Sequence, residues 1–186
     1  NNKSSVSVIE EKNANKEIKN INLCYSGILC GSSKEIFKAL NKVKKDQITQ
    51  EYLFTNIFNY LNDLKNSIKI LTFSEEELMG INDRLQLSEA DQILQKRIKS
   101  YHLKNGVTLI AADSVYICSN VQIDKDVVIE PNVYLGNNVV IKTNVLIKSN
   151  SYIDDTYINS FSEIGPTCRI RKNTKIGKNV KIGNFV

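Results

Sequence analysis

Few residues of this chain can do chemistry unaided. It has one histidine, His102, and four cysteines, Cys24, Cys30, Cys118 and Cys168, with no C-x-x-C pair among them. Zinc is held by clustered Cys and His, so this set argues against a zinc site, and buried or half-buried thiols are the expectation. What remains is a set of oxygen donors and cations. Asn82 offers a carboxamide oxygen of the kind Mg2+ accepts, although beside Asp83 it could equally serve as a turn or cap residue. Arg171 carries a guanidinium suited to bidentate phosphate bonding, or lies solvated on a surface. Glu10 is a carboxylate in an alternating stretch, next to Glu11. Tyr25 is a phenol in an apolar one. His102 is expected on the wet side of a helix, with no role.

The elements that must position these groups fall into two halves. From Ile117 a branched aliphatic residue recurs at Ile123, Ile129, Leu135, Ile141, Ile147, Ile153, Ile158, Ile164, Ile170, Ile176 and Ile182. Every interval is six except the five between Ile153 and Ile158. Four residues after most of these comes a small residue, as at Val121, Val127, Val133, Ser151 and Cys168, with Tyr157 the large exception. Six fits neither the 3.6 period of a helix nor a hairpin. It fits a triangular coil of three short strands, stacked so that each backbone pairs with the coil above and the aliphatics form ladders. The expectation is a left-handed parallel β-helix of four coils, an exception to the right-handed crossover rule.

The first half reads as a partial α/β layer. Strands are expected at 5–11, 22–31 and 67–73, the second with Gly27 inside it, where a glycine marks close approach of backbone or ligand. Helices are expected at 32–43, with Ile36, Phe37 and Leu40 on one face, and at 50–66. A short helix capped by Ser74 follows, then a linker helix over 88–106 that starts at Ser88 and ends at Gly106. Three strands do not make a stable doubly wound sheet, and no Gly-rich phosphate loop follows the first of them. This half reads as the tail of a domain whose nucleotide-gripping part lies upstream.

Composition narrows the function. The net charge is +5, but Lys12, Lys16 and Lys19 are interleaved with Glu10, Glu11 and Glu17, unlike the basic stripe of a nucleic-acid binder. The 23 asparagines read as genome-driven composition. No apolar run approaches the ~20 residues of a membrane span. The chain begins with Asn and stops within a repeat, IGNFV, so both ends read as cuts.

Particular segments then resemble a known family. GINDRLQLS (80–88) is similar to a Gly-Val-Asn-(Asn/Asp)-Arg-Leu-Gln-Leu-Ser segment of the bacterial bifunctional N-acetylglucosamine-1-phosphate uridyltransferase and glucosamine-1-phosphate N-acetyltransferase. VIEEKNA (8–14), QEYLFTNI (50–57), IGPTCRIR (164–171) and IGNFV (182–186) resemble further segments of it, in the same order.

The resemblance implies an α/β fold: a partial Rossmann-like nucleotidyltransferase domain over 1–87, a linker helix over 88–106, and the first coils of a left-handed parallel β-helix of hexapeptide repeats over 107–186. It implies that Asn82 contacts Mg2+ and the sugar nucleotide, that Glu10 contacts the sugar nucleotide, and that Arg171 grips the phosphate of glucosamine-1-phosphate. Tyr25 stands in a substrate-binding place where the family has Asn. A phenol cannot copy an amide's donor and acceptor, so the contact is lost or the substrate sits differently. Lys172 stands where the family has Pro. The implied partners are UTP and UDP-N-acetylglucosamine, glucosamine-1-phosphate and acetyl-CoA, in a cytoplasmic homotrimer. The family's catalytic groups lie outside these residues, so the 186 residues alone are expected to be inactive. Two alternatives stay open: another sugar-1-phosphate nucleotidyltransferase that uses the prism to oligomerise, and a non-catalytic scaffold.

Overall fold

The computed structural model describes residues 6–46, 50–62 and 68–186, which divide into two compact units, Asn1–Gly80 and Ile81–Val186.

The second unit is a long helix followed by a three-sided parallel β-solenoid. Its faces are stacks of two- and three-residue strands: five on the first, four on each of the others. Partners lie eighteen residues apart, as Ile129 and Ile147, or seventeen where the five-residue unit intervenes, as Ile147 and Ile164. All pairings are parallel and the aliphatics stack in columns, consistent with the expected left-handed β-helix. The interior is dry: Ile117, Ile129, Leu135, Ile141, Ile147, Ile153, Ile158 and Ile164 have no exposed surface. The stack also has a rung that the six-residue count misses. Thr108–Leu109 pairs below Val128–Ile129, and a short turn over Ala112–Ser114 breaks the period before Ile117.

Two details correct the sequence reading. Tyr157 is no exception inside the core, because it points outward and Thr156, 2% exposed, fills the inward place. Inward side chains alternate along a strand, so the small partner sits two residues before each aliphatic, whatever the length of the preceding turn. The asparagines, too, have a structural place. The corners take left-handed backbone at Asp126, Asn132, Asn138, Asn144, Asn150, Asp155, Asn173 and Asn179, and Asn and Asp tolerate that conformation better than other non-glycine residues. Some corner side chains also bond between coils, Asn120 Nδ2 to Asn138 Oδ1 at 2.8 Å and Asn132 Nδ2 to Asn150 Oδ1 at 3.2 Å.

In the first unit, α1 spans Lys16–Lys19, α2 Ser33–Leu40 and α3 Ile57–Leu61, with single turns at Glu11–Asn13, Phe54–Asn56 and Glu75–Glu77. A small core of Ala39, Ile57, Phe58 and Leu61 holds it together. On α2 the inward residues are Ile36, Ala39 and Leu40, whereas Phe37 points to solvent at 65% exposure. Ser74 makes no side-chain cap. Residue 5 and residues 63–67, on which parts of the expected strands and second helix fall, lie outside the described residues.

The expected strands are the main correction. None of the described residues of the first unit is in a β-strand. A strand is held by a ladder to a neighbour, and here Leu23, Ile28 and Leu71 stand more than half exposed with no ladder among the described residues. A ladder-like pairing is made there by a side chain: Val6 N–H donates to Asn62 Oδ1 at 3.0 Å, and Asn62 Nδ2 donates to the Val6 carbonyl at 2.7 Å. Gly27 is a turn glycine at φ +85°, with open space where a side chain would go, so it marks no close approach.

Candidate functional site

The long helix α4, Arg84–Lys104, begins four residues before the expected Ser88. Asp83 is its cap, in extended conformation, with its carboxylate accepting the Gln86 N–H at 2.8 Å. That removes the capping alternative for Asn82, which lies one residue outside the helix. Asn82 is exposed, its N–H donates to Gln86 Oε1 at 2.7 Å, and its side-chain amide has no hydrogen-bond partner among the described residues. A free carboxamide oxygen is a donor that Mg2+ accepts. The described residues hold no group of three or more His, Cys, Asp and Glu that could bind a metal by themselves.

The inward stripe of α4 is Asp91, Gln95, Ile98 and His102, at the 4-3-4 spacing of one helical face. Ile98 packs on the solenoid core. Gln95, 7% exposed, donates Nε2 to the Ile117 carbonyl at 2.9 Å and accepts the Ile117 N–H at 3.1 Å, so its carboxamide caps the outermost strand of one face. Asp91 accepts the Tyr116 hydroxyl at 3.1 Å. His102 is on this stripe and 4% exposed, not on the wet side. None of these contacts was foreseen, although the spacing that reveals them is in the sequence.

Tyr116, Tyr134 and Tyr152 occupy equivalent outward places on successive coils. Their rings stack at 5.1 and 4.8 Å, nearly parallel, because strands stack at ~4.8 Å. Arg169 extends the column, 5.8 Å over the Tyr152 ring. The Cys118 thiol beside the Tyr134 hydroxyl, with burial, pushes that phenol up to about 12.

Arg171 follows this face at a corner. Its carbonyl accepts the Thr174 hydroxyl at 2.6 Å and the Thr156 hydroxyl at 3.4 Å, and its side chain is exposed with no acid partner among the described residues. The nearby acid is committed elsewhere: Asp154, 9% exposed, holds Lys172 at 3.3 Å. Asp154 leans over Gly136 so closely that a Cβ there would lie 2.5 Å from its Oδ1. The corner therefore presents one free guanidinium on a fixed backbone, as a phosphate contact needs.

Glu10 and Tyr25 belong to the first unit. Glu10 precedes the Glu11–Asn13 turn and accepts the Thr55 hydroxyl at 2.9 Å. It lines an open depression of about 210 Å3 with Asn13, Asp46, Thr55, Asn56 and Asn59. Tyr25 does not line it. Its ring packs edge-on to Phe58 at 5.1 Å, and its hydroxyl is buried without a partner, which raises its pKa. The cysteines divide: Cys168 is buried and Cys118 half-buried as expected, whereas Cys24 and Cys30 are exposed, and all four are free thiols. No helix among the described residues is long and apolar enough to cross a membrane.

Helix and solenoid together define a hexapeptide-repeat β-helix module, and comparison with known proteins agrees. Residues 111–183 match the family model described as the GMPPB C-terminal domain. Individual relatives are named Bifunctional protein GlmU. The chain is 36% identical over 118 residues to that of Brevibacillus brevis and 38% identical over 119 residues to that of Staphylococcus epidermidis. It is 35% identical over 117 residues to that of Staphylococcus carnosus. These matches take in 62–63% of this chain but 26% of each relative, so the chain spans about a quarter of the length of the proteins it resembles.

Proposed function

We propose that this chain is part of a bifunctional transferase that makes UDP-N-acetylglucosamine. The intact protein acetylates glucosamine-1-phosphate from acetyl-CoA, then couples the product to UTP with release of pyrophosphate. The observation that carries this reading is the likeness to GlmU proteins along the chain's C-terminal part, where the helix and solenoid lie.

In this reading Arg171 grips the phosphate of glucosamine-1-phosphate. Its lack of an acid partner leaves both edges of the guanidinium for an anion. Asn82 gives its amide oxygen to Mg2+ and orients the nucleotide, and Glu10, steadied by Thr55, contacts the sugar. Asn82 would help to hold the ion, which when bound would supply positive charge against the phosphates. Tyr25 departs from this scheme, because its hydroxyl faces the apolar core. The solenoid joins copies into a homotrimer, and the enzyme works in the cytoplasm to supply cell-wall and lipopolysaccharide precursors.

A second reading has one observation in its favour. The matching family model is named for a different protein, GMPPB, so a solenoid of this kind is not tied to one reaction. It could serve to assemble a nucleotidyltransferase that performs no acetyl transfer. Assay of the intact protein separates the two. Thiol release from acetyl-CoA with glucosamine-1-phosphate, together with pyrophosphate release from UTP, is expected. Pyrophosphate without thiol supports the second reading, and neither product defeats both. The 186 residues alone are expected to form no UDP-N-acetylglucosamine.

A further inference from the structure

His102 is the chain's only histidine and lies where α4 seats on the base of the solenoid. It shares the inward stripe with Gln95 and Ile98, is 4% exposed, and its Nδ1 is buried with no hydrogen-bond partner among the described residues. Its carbonyl accepts the Val107 N–H at 3.1 Å, so it also anchors the turn into the first coil. A neutral imidazole tolerates one unpartnered nitrogen in such a place, whereas an imidazolium must bury a charge and a second donor.

The surrounding charges offer little help. Tyr101 packs edge-on to the ring at 5.3 Å. Asp91, lower on the same stripe, is engaged by Tyr116. Lys125 and Asp126 lie against Gly106, beyond the end of the helix: Lys125 where a Cβ on that glycine would meet it, and Asp126 donating its N–H to the Gly106 carbonyl at 2.9 Å. Burial disfavours the imidazolium and lowers the pKa of His102.

We propose that His102 is a proton-sensitive latch: its protonation loosens the C-terminal half of α4 from the solenoid base. The direction follows from linkage. A histidine that gains its proton less readily when folded stabilises the seated helix fully above its ordinary value of ~6.5, and the stabilisation is lost as pH falls below that. Each unit by which the seated form titrates below the free form amounts to a tenfold loss of protection across that window.

The test is amide hydrogen exchange on the 186-residue chain at pH 7.5 and pH 5, corrected for intrinsic rates, with His102→Gln alongside. Protection over residues 95–107 should fall in the original chain and hold in His102→Gln. Equal loss in both, or loss in neither, overturns the latch. Should the variant fail to fold, NMR titration of this lone imidazole decides. A midpoint clearly below 6.5 supports the proposal, and one at or above it overturns the proposal.

Discussion

Two carboxamides make the same pair of hydrogen bonds in the two halves of this molecule, to different effect. Asn62 pairs with the N–H and carbonyl of Val6, and Gln95 pairs with those of Ile117. Each stands in for a missing neighbouring strand. Gln95 closes the end of a four-strand stack, so its two bonds finish a ladder that continues through Tyr134–Leu135, Tyr152–Ile153 and Arg169–Ile170. Asn62 pairs with a segment that has no ladder behind it among the described residues. The same chemistry thus completes one structure and only tethers the other. Backbone pairing is cooperative where each rung supports the next, and local where it stands alone.

The contrast should appear most strongly in core truncations. Ile141→Ala empties a fully buried site that neighbouring coils cannot collapse into, and should cost about 2–5 kcal/mol in a denaturant melt. Phe37→Ala on α2 removes a larger side chain that is 65% exposed, and should cost well under half as much. Equal losses would mean that Phe37 is packed rather than facing solvent. Gln95→Ala comes next. It strands two buried backbone groups of Ile117 and should cost about 1–3 kcal/mol, with Gln95→Glu failing to restore it because a carboxylate cannot donate. Thr167→Asn should go the other way. Thr167 is β-branched at φ 55°, and Asn at that corner should stabilise by about 1 kcal/mol, read as a raised melting temperature. The smallest change is expected for Tyr25→Phe, which deletes an unpartnered buried hydroxyl. Stability should stay within about 1 kcal/mol, and a marked loss of sugar-nucleotide affinity in the intact enzyme would show that the hydroxyl meets substrate after all.

The same contrast explains what could be read from the residues. The solenoid was legible because one choice, a branched aliphatic facing inward, is repeated along the chain, so no single ambiguous residue could mislead. Counting forward from each aliphatic misassigned Tyr157; counting back two residues, as the pleat requires, selects Thr156. The asparagines read as composition until their spacing is set against the corners. In the first unit, alternation at 5–11 and apolar runs at 22–31 and 67–73 carry the signature of strands, but a strand is a property of two segments, and the pairing partner was never in those residues. Of the candidate residues, Arg171 and Asn82 are exposed with no side-chain partner among the described residues, and Glu10 lines a polar depression. A lone polar residue in a helix defaults to the wet face, whereas the stripe that His102 completes contains two other polar residues.

The five-residue unit between Ile153 and Ile158 has a consequence for inheritance. It shows where this chain can lose a codon. The missing residue is taken out of a corner, Asp155 still turns in left-handed backbone, and the columns above and below stay in step. The same loss inside a strand would turn that strand's own aliphatic outward. Single-codon insertions and deletions in descendants of this gene should therefore gather at the corners and be purged from the strands, leaving a record of the prism in the spacing of its gaps.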